Sequence, residues 1–490
     1  MSTRNLLINP CWRAKDLGQP LPDSPHAVSV ALPRWEDVVG YEEKDPYVLN
    51  ALRAIYPRFG LNPLVSQVAQ RAIETTGLTE WSAWPYPSFS TAQKAKKHCQ
   101  YSEINGKTII TEILGLHCLL ADIKATPAAK AFWQHAGLGA SSRLAAIALN
   151  TEQSPSKIAG ESARSALIQR LAKIYSCQTS NVTLHPSGMA SLASALEITT
   201  NFNPKKPTLQ IGFPYVDVLK LPQVIFAGSD LVLETDTGHI AKVLDKKKPS
   251  AVIVELPSNP MLQCIDLPAI SQLAHERGIL VIADDTIGSA ININVLPYAD
   301  LVFSSLTKSF AGRGDILAGA LVISPESQWE QELRQLLSET DPTPLSDADA
   351  IELEKTSRDV KDRLSKLNKA CLTLKARLEV HPQISNVLHP ESCSNFKALM
   401  RPGAGYGCLL SFKLKGGLSK AKHFYDALEV CKGPSLGTSF TLACPYVLLA
   451  HYNELTWAQN CGVPTDLLRV SVGLENPDKL WARFEKALQS

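Results

Sequence analysis

The chain has 490 residues, with 49 Lys and Arg against 47 Asp and Glu, and the two signs of charge are interspersed along it. That length suits two or three domains with large cores, and the charge balance points away from nucleic acid and from anionic membranes. No stretch reaches transmembrane length, eleven cysteines in no paired pattern suit reduced thiols in a cytoplasmic protein, and the histidines form no cluster with metal-ligand spacing.

Residues 1–50 are rich in Pro and acidic residues with few periodic runs, and read as an extended arm. Residues 50–75 read as helical, and 76–128 alternates short apolar runs such as TIITEIL (108–114) with polar turns. ARSALIQRLAKIY (163–175) is an amphipathic helix. In NVTLHPSGMASLASALEI (181–198), Ser187-Gly188-Met189 opens a helix of small and apolar residues. Free N–H groups at a helix start, with a glycine that lets a ligand approach, make a phosphate cradle. LQIGFPYVDVLKL (209–221) reads as a strand and then a loop, with Phe213 and Tyr215 as its aromatics.

The most informative stretch is 251–324. AVIVEL (251–256), ILVIA (279–283), LVFSS (301–305) and GALVIS (319–324) are apolar runs. A helix, LPAISQLAHER (267–277), lies between the first two, capped by Asp266 and Pro268 and closed by Gly278. Strands apolar on both faces and separated by a helix predict a parallel sheet covered by helices. Ligands of such sheets sit at the carboxyl ends of the strands, where Asp284 and Lys308 fall. A lysine there can form a Schiff base with an aldehyde cofactor, and a buried aspartate can pair with a protonated pyridine nitrogen. Together they are what pyridoxal 5′-phosphate (PLP) needs from a protein. Alone, each has a plainer reading: a loop lysine and a helix-capping aspartate.

Downstream, 347–381 reads as one or two long amphipathic helices and GCLLSFKLKGG (407–417) as a strand. Arg469 stands in LLRVSVGLE, where a planar, permanently charged guanidinium would suit a two-pronged grip on a carboxylate.

ELPSNP, VIADDTIGSA, SSLTKSFAGRGDILAGALV and LLRVSVGLENPDKL, in this order over residues about 165–490, resemble the Cys/Met-metabolism family of PLP enzymes. PHAVSVALPRWEDVVGYEE (25–43), YPRF (56–59) and AKAFWQH (129–135) look more like its fungal cystathionine γ-synthase branch. The resemblance implies a PLP-dependent transferase of fold type I. Residues 1–162 would form an N-terminal arm and extended region, 163–365 a large α/β domain with a mainly parallel sheet, and 366–490 a smaller α+β domain. It also implies a homodimer or homotetramer with shared active sites, the arm reaching a neighbouring subunit.

Residue by residue, the resemblance makes Lys308 the Schiff-base lysine and Asp284 the partner of the ring nitrogen. Ser187, Gly188, Met189, Ser305 and Thr307 would hold the phosphate. Tyr215 would stack on the ring and move protons, with Phe213 as the competing register. Asn259 would lie near the phenolic oxygen, Arg469 would hold the substrate α-carboxylate, and Ser435 belongs to a serine-rich substrate loop (433–446). The family's Tyr-x-Arg pair, which serves the phosphate of the adjacent subunit, is missing upstream of Gly188. Tyr56/Arg58 or Arg143 would replace it. Arg313 stands where relatives carry a neutral or histidine side chain, which leaves the second substrate open.

The implied reaction is γ-replacement on an O-acyl-L-homoserine, giving cystathionine when cysteine is the nucleophile, a step of methionine metabolism. Small amino acids would be its partners, with no metal. Two alternatives stand beside it: a specialised-metabolism enzyme that forms a C–C or C–N bond from O-acetylhomoserine, and a catalytically silent regulatory paralogue.

Overall fold

The structure is a computed structural model and describes residues 4–102, 106–204 and 206–490. Its central sheet has seven strands: β4 (Val182–His185), β5 (Thr208–Ile211), β6 (Ser229–Val232), β7 (Ala251–Glu255), β8 (Leu280–Asp284), β9 (Leu301–Ser305) and β10 (Gly319–Ile323). They lie in the order β4-β10-β9-β8-β7-β5-β6. β6, β5, β7, β8 and β9 run parallel, as their apolar sequences predict. Along β8, Val281 and Ala283 enter the core on one face while Leu280 and Ile282 enter the core on the other.

β10 departs from the expected direction and is antiparallel to both β4 and β9. The link from β9 contains no helix, so the chain folds back instead of crossing over, as a parallel return would require. Asp284 closes β8 rather than following it. The helix after β7 ends at His275, and turns carry the chain to Gly278 at φ 65°.

A second sheet, in the order β11-β12-β15-β14-β13, forms the core of the small domain. Its strands are β11 (Ile384–Leu388), β12 (Leu409–Leu414), β13 (Cys431–Lys432), β14 (Leu442–Pro445) and β15 (Leu468–Ser471). The helical stretch before it is two helices, Asp347–Thr356 and Val360–Glu379, and the second crosses residue 365.

The N-terminal region differs from an extended arm. Trp35–Glu42 and Pro46–Ala51 are helices, the second capped by Asp45 with Pro46 in its first turn. Trp35, Val38, Tyr41 and Val48 join the small domain's core in their own chain. The clamp there is polar: Tyr425 donates to the Leu32 carbonyl at 2.8 Å and Lys432 to the Pro33 carbonyl at 2.9 Å. The helical reading of 50–75 holds for the end of Pro46–Ala51 and for Pro63–Thr76, while residues 52–62, with Pro57 among them, are not helical. Three strands, β1 (Ser82–Tyr86), β2 (Thr108–Ile113) and β3 (Leu116–Ala121), form a third, antiparallel sheet in the order β1-β3-β2, with helix Phe89–Tyr101 following β1. Helices Pro63–Thr76 and Thr126–Ala136 pack on it in two apolar cores. Among the described residues no helix is long and apolar enough to cross a membrane.

Candidate active site

A cavity of about 210 Å³ opens among the carboxyl ends of the parallel strands, the small domain and the N-terminal region. Lys308 enters it three residues beyond β9. Thr307 anchors the turn, with its N–H on the Ala318 carbonyl at 3.2 Å and its Oγ1 accepting the Ala318 N–H at 3.1 Å. Gly437 packs against the same turn so closely that a Cβ would sit 2.3 Å from the Ser309 nitrogen. Lys308 Nζ donates to Ser435 Oγ at 3.1 Å and to Tyr56 Oη at 3.3 Å. The Ser435 carbonyl accepts from Arg469 at 2.8 Å. Ser435 therefore spans the two cations, and it does so at φ 91°, a conformation that costs a non-glycine residue about 1–3 kcal/mol.

Two carboxyls close the neighbouring strands. Glu255 and Asp284 are register partners at the ends of β7 and β8. Burial pushes Asp284 up to about 7, against the pull of its hydrogen bonds from Thr286. Burial and the Asp284 charge push Glu255 up as well, although it accepts the Tyr215 N–H at 2.8 Å and the Asn259 N–H at 3.2 Å. Asn259 Oδ1 accepts from Arg469 at 3.1 Å, and the buried guanidinium lies 4.8 Å above the Tyr446 ring.

Ser187 caps helix Gly188–Phe202, its Oγ accepting the Ala190 N–H at 3.1 Å and donating to the Gly137 carbonyl at 2.8 Å. A Cβ on Gly188 would meet Ser305 Cβ at 2.7 Å. Helix start and strand end are thus pressed together, and Ser187, Gly188, Met189, Ser305 and Thr307 all line the cavity.

Tyr215 lines the cavity, while Phe213 is buried against His451 and Trp457. Tyr215 ends the short loop after β5, as the residue just before helix Val216–Ile225, where the sequence suggests a longer loop. Of the two substitutes for the missing Tyr-x-Arg pair, Tyr56 and Arg58 reach the cavity of their own chain, Tyr56 on Lys308 and Arg58 Nε 3.4 Å from Asp217. Arg143 is buried away from it, on the Asp315 carbonyl at 2.8 Å and on Asp349 at 3.3 Å. Arg313 is exposed, paired with Asp315 at 3.2 Å, and does not line the cavity. Glu255, Asp217, His135 and Tyr446 also stand in or beside the site, and the motifs assign them no role. A charge closing the apolar run AVIVEL was a usable signal for Glu255; the other three carried none.

A family model described as Cys/Met metabolism PLP-dependent enzyme matches residues 158–489. The chain belongs to that family. Among its relatives, cystathionine gamma-synthase of Neurospora crassa is 29% identical over 97% of this chain and 98% of its own. The L-2-amino-4-chloropent-4-enoate dechlorinase/desaturase of Streptantibioticus cattleyicolor is 30% identical over 96% and 97%. The solved structure of cystathionine gamma synthase from Xanthomonas oryzae superposes with a TM-score of 0.59 at 23% identity, covering 69% of this chain and 88% of that one. The protein is therefore a PLP-dependent enzyme with the α/β architecture of fold type I. Its residues fit that cofactor: a lysine amine opens on the cavity, the Gly188 cradle leaves no room for a side chain, and a buried Asp284 pushed up to about 7 lacks the cation that a pyridinium supplies.

Proposed function

We propose that this enzyme carries out γ-replacement on an O-acyl-L-homoserine, with cysteine as nucleophile and cystathionine as product. The observation that carries the reading is the pair of basic side chains joined through Ser435: Arg469 for an α-carboxylate, and Lys308 Nζ for the protons of the carbons beside it. In this reading Lys308 holds PLP covalently, Asp284 faces the ring nitrogen, and Ser187, Gly188, Met189, Ser305 and Thr307 hold the phosphate. Tyr215 offers its ring and Asn259 lies near the phenolic oxygen. PLP, when bound, supplies an electron sink for the carbons next to the amine.

The chain's own work is to bind, orient and move protons. Arg469 fixes the amino acid by its carboxylate with a planar guanidinium. Lys308, free as an amine, takes the Cα proton and then a Cβ proton. The acyl group leaves from Cγ as a carboxylate, the cysteine sulfur bonds there with its proton passing to the departing carboxylate, and Lys308 returns a proton to Cβ and then to Cα. Ile55, Phe59, Leu61 and Trp133 give the cavity an apolar wall, which favours a second reading in which a carbon or nitrogen nucleophile replaces cysteine. A cytoplasmic homodimer or homotetramer with shared sites is proposed with either reading.

Two measurements test this. Borohydride reduction of the PLP-loaded enzyme should leave the pyridoxyl group on the peptide containing Lys308; an adduct on another lysine overturns the assignment. Incubation with O-acetyl- or O-succinylhomoserine and cysteine should give the mass of cystathionine. A coupled product only with a carbon or nitrogen nucleophile selects the second reading.

A further inference from the structure

A chain of hydrogen bonds runs from Lys308 to a carboxylate that the reaction above does not use. Lys308 Nζ donates to Tyr56 Oη at 3.3 Å, Tyr56 Oη lies 3.3 Å from Tyr215 Oη, and Tyr215 donates to Asp217 Oδ2 at 2.8 Å. Asp217 is buried and held from two further sides, by Arg58 Nε at 3.4 Å and by His135 Nδ1 at 3.1 Å. A phenol has one proton to give. At Tyr215 the shorter contact, to a charged acceptor, claims it, since a charge-assisted hydrogen bond is about twice as strong as a neutral one. That leaves the Tyr56 oxygen as the group facing the Lys308 amine.

We propose that Asp217 is a positioning residue that keeps the Tyr215 proton in place, so that Tyr56 is the phenol exchanging a proton with Lys308. The step is a single transfer: an N–H bond of the Lys308 ammonium breaks, an O–H bond forms on the Tyr56 phenolate, and a neutral amine and a neutral phenol remain. No further reactant is needed. The neutral amine is the form that can remove a substrate proton.

The surroundings of the two phenols support the division. Removal from water raises Tyr56 as it does Tyr215, but the Lys308 charge and the hydrogen bonds with Tyr215 and Lys308 bring it below the ordinary tyrosine range, against the Asp217 charge. Tyr215 is pushed well up, by removal from water first and then by the charges of Asp217 and Tyr56, with Arg58 opposing. Arg58, on the same loop as Tyr56, Tyr446, from the small domain, and Glu255, which accepts the Tyr215 N–H at 2.8 Å, also face the network, and Glu42, Tyr41 and His451 lie around Arg58. The inference rests on the cofactor assignment but not on the nucleophile, so its failure would leave the γ-replacement reading standing.

The test is NMR of the full-length chain carrying Cζ-labelled tyrosine, titrated without PLP, when the Lys308 amine is free as it is once a substrate amine has displaced it. Wild type should show a phenol becoming phenolate below the ordinary range. That transition should vanish in Tyr56→Phe and persist in Tyr215→Phe. Asp217→Asn should bring the Tyr215 transition down, and Asp217→Glu, which keeps a carboxylate, should hold it up. With PLP restored, Tyr56→Phe should slow exchange of the Cα proton of a bound amino acid about 100-fold. The proposal is overturned if the early transition survives in Tyr56→Phe and is lost in Tyr215→Phe, or if Asp217→Asn leaves Tyr215 where it was. If Asp217→Asn does not fold, the two phenylalanine variants decide.

Discussion

Arg469 and Lys308 reach the cavity from different domains, and Ser435 holds them in one frame. Arg469→Ala should retain PLP, because the guanidinium touches Asn259, Ser435 and Tyr446 and none of the residues assigned to the phosphate. It should lose about 2–5 kcal/mol of affinity for every α-amino acid, with Arg469→Lys between the two. Titrating the cofactor absorbance band with amino acids and with a simple amine checks this: equal weakening of both would make the residue structural. Asp284 gives a second expectation. Its folded carboxyl is held near 7 against an ordinary 3.8, so between these values the folded state binds the extra proton. The PLP-free protein therefore loses stability on this account as pH rises from about 4 to about 7. Asp284→Asn should be more stable than wild type above about pH 7, by on the order of 4 kcal/mol, and equal to it near pH 4. Thermal unfolding across that range checks it, and PLP, by supplying a cation, should reverse the order.

At the scale of elements, the junction of helix Gly188–Phe202 with β9 sets the phosphate cradle. Gly188→Ala must push Ser305 aside; overpacking of this kind costs about 1–3 kcal/mol. The PLP dissociation constant should rise about 10-fold with the fold retained, as equilibrium dialysis and circular dichroism would show; unchanged PLP affinity would remove Gly188 from the cradle. This junction was legible in the sequence, since Ser187-Gly188 and Lys308 follow an apolar strand and open a helix or a turn. β7, β8 and β9 were legible for the same reason: buried on both faces, they leave unbroken apolar runs. The direction of β10 was not, because an antiparallel strand buried on both faces carries the same run. Helix Val216–Ile225 was hidden too, as Pro214 just before it and Pro222 within it suggest a loop.

Across the whole molecule, the region before residue 158, outside the family model, supplies one wall of the cavity through Tyr56, Arg58, Phe59 and Trp133. Its architecture was the least legible. Short amphipathic strands such as β2, and helices that bury one face against another domain, signal themselves weakly. The long-range contacts of Tyr56 with Lys308 and of Arg58 with Asp217 follow from the fold and not from local pattern. The central claim is that Lys308 moves protons at Cα and Cβ while the acyl group is exchanged at Cγ. It is tested most directly by running the coupling of O-acetyl-L-homoserine with cysteine in deuterium oxide. The expected product is cystathionine carrying deuterium at both Cα and Cβ of the homoserine-derived half, with no cystathionine formed by Lys308→Ala. Cystathionine unlabelled at both carbons would mean direct displacement at Cγ, and would contradict it.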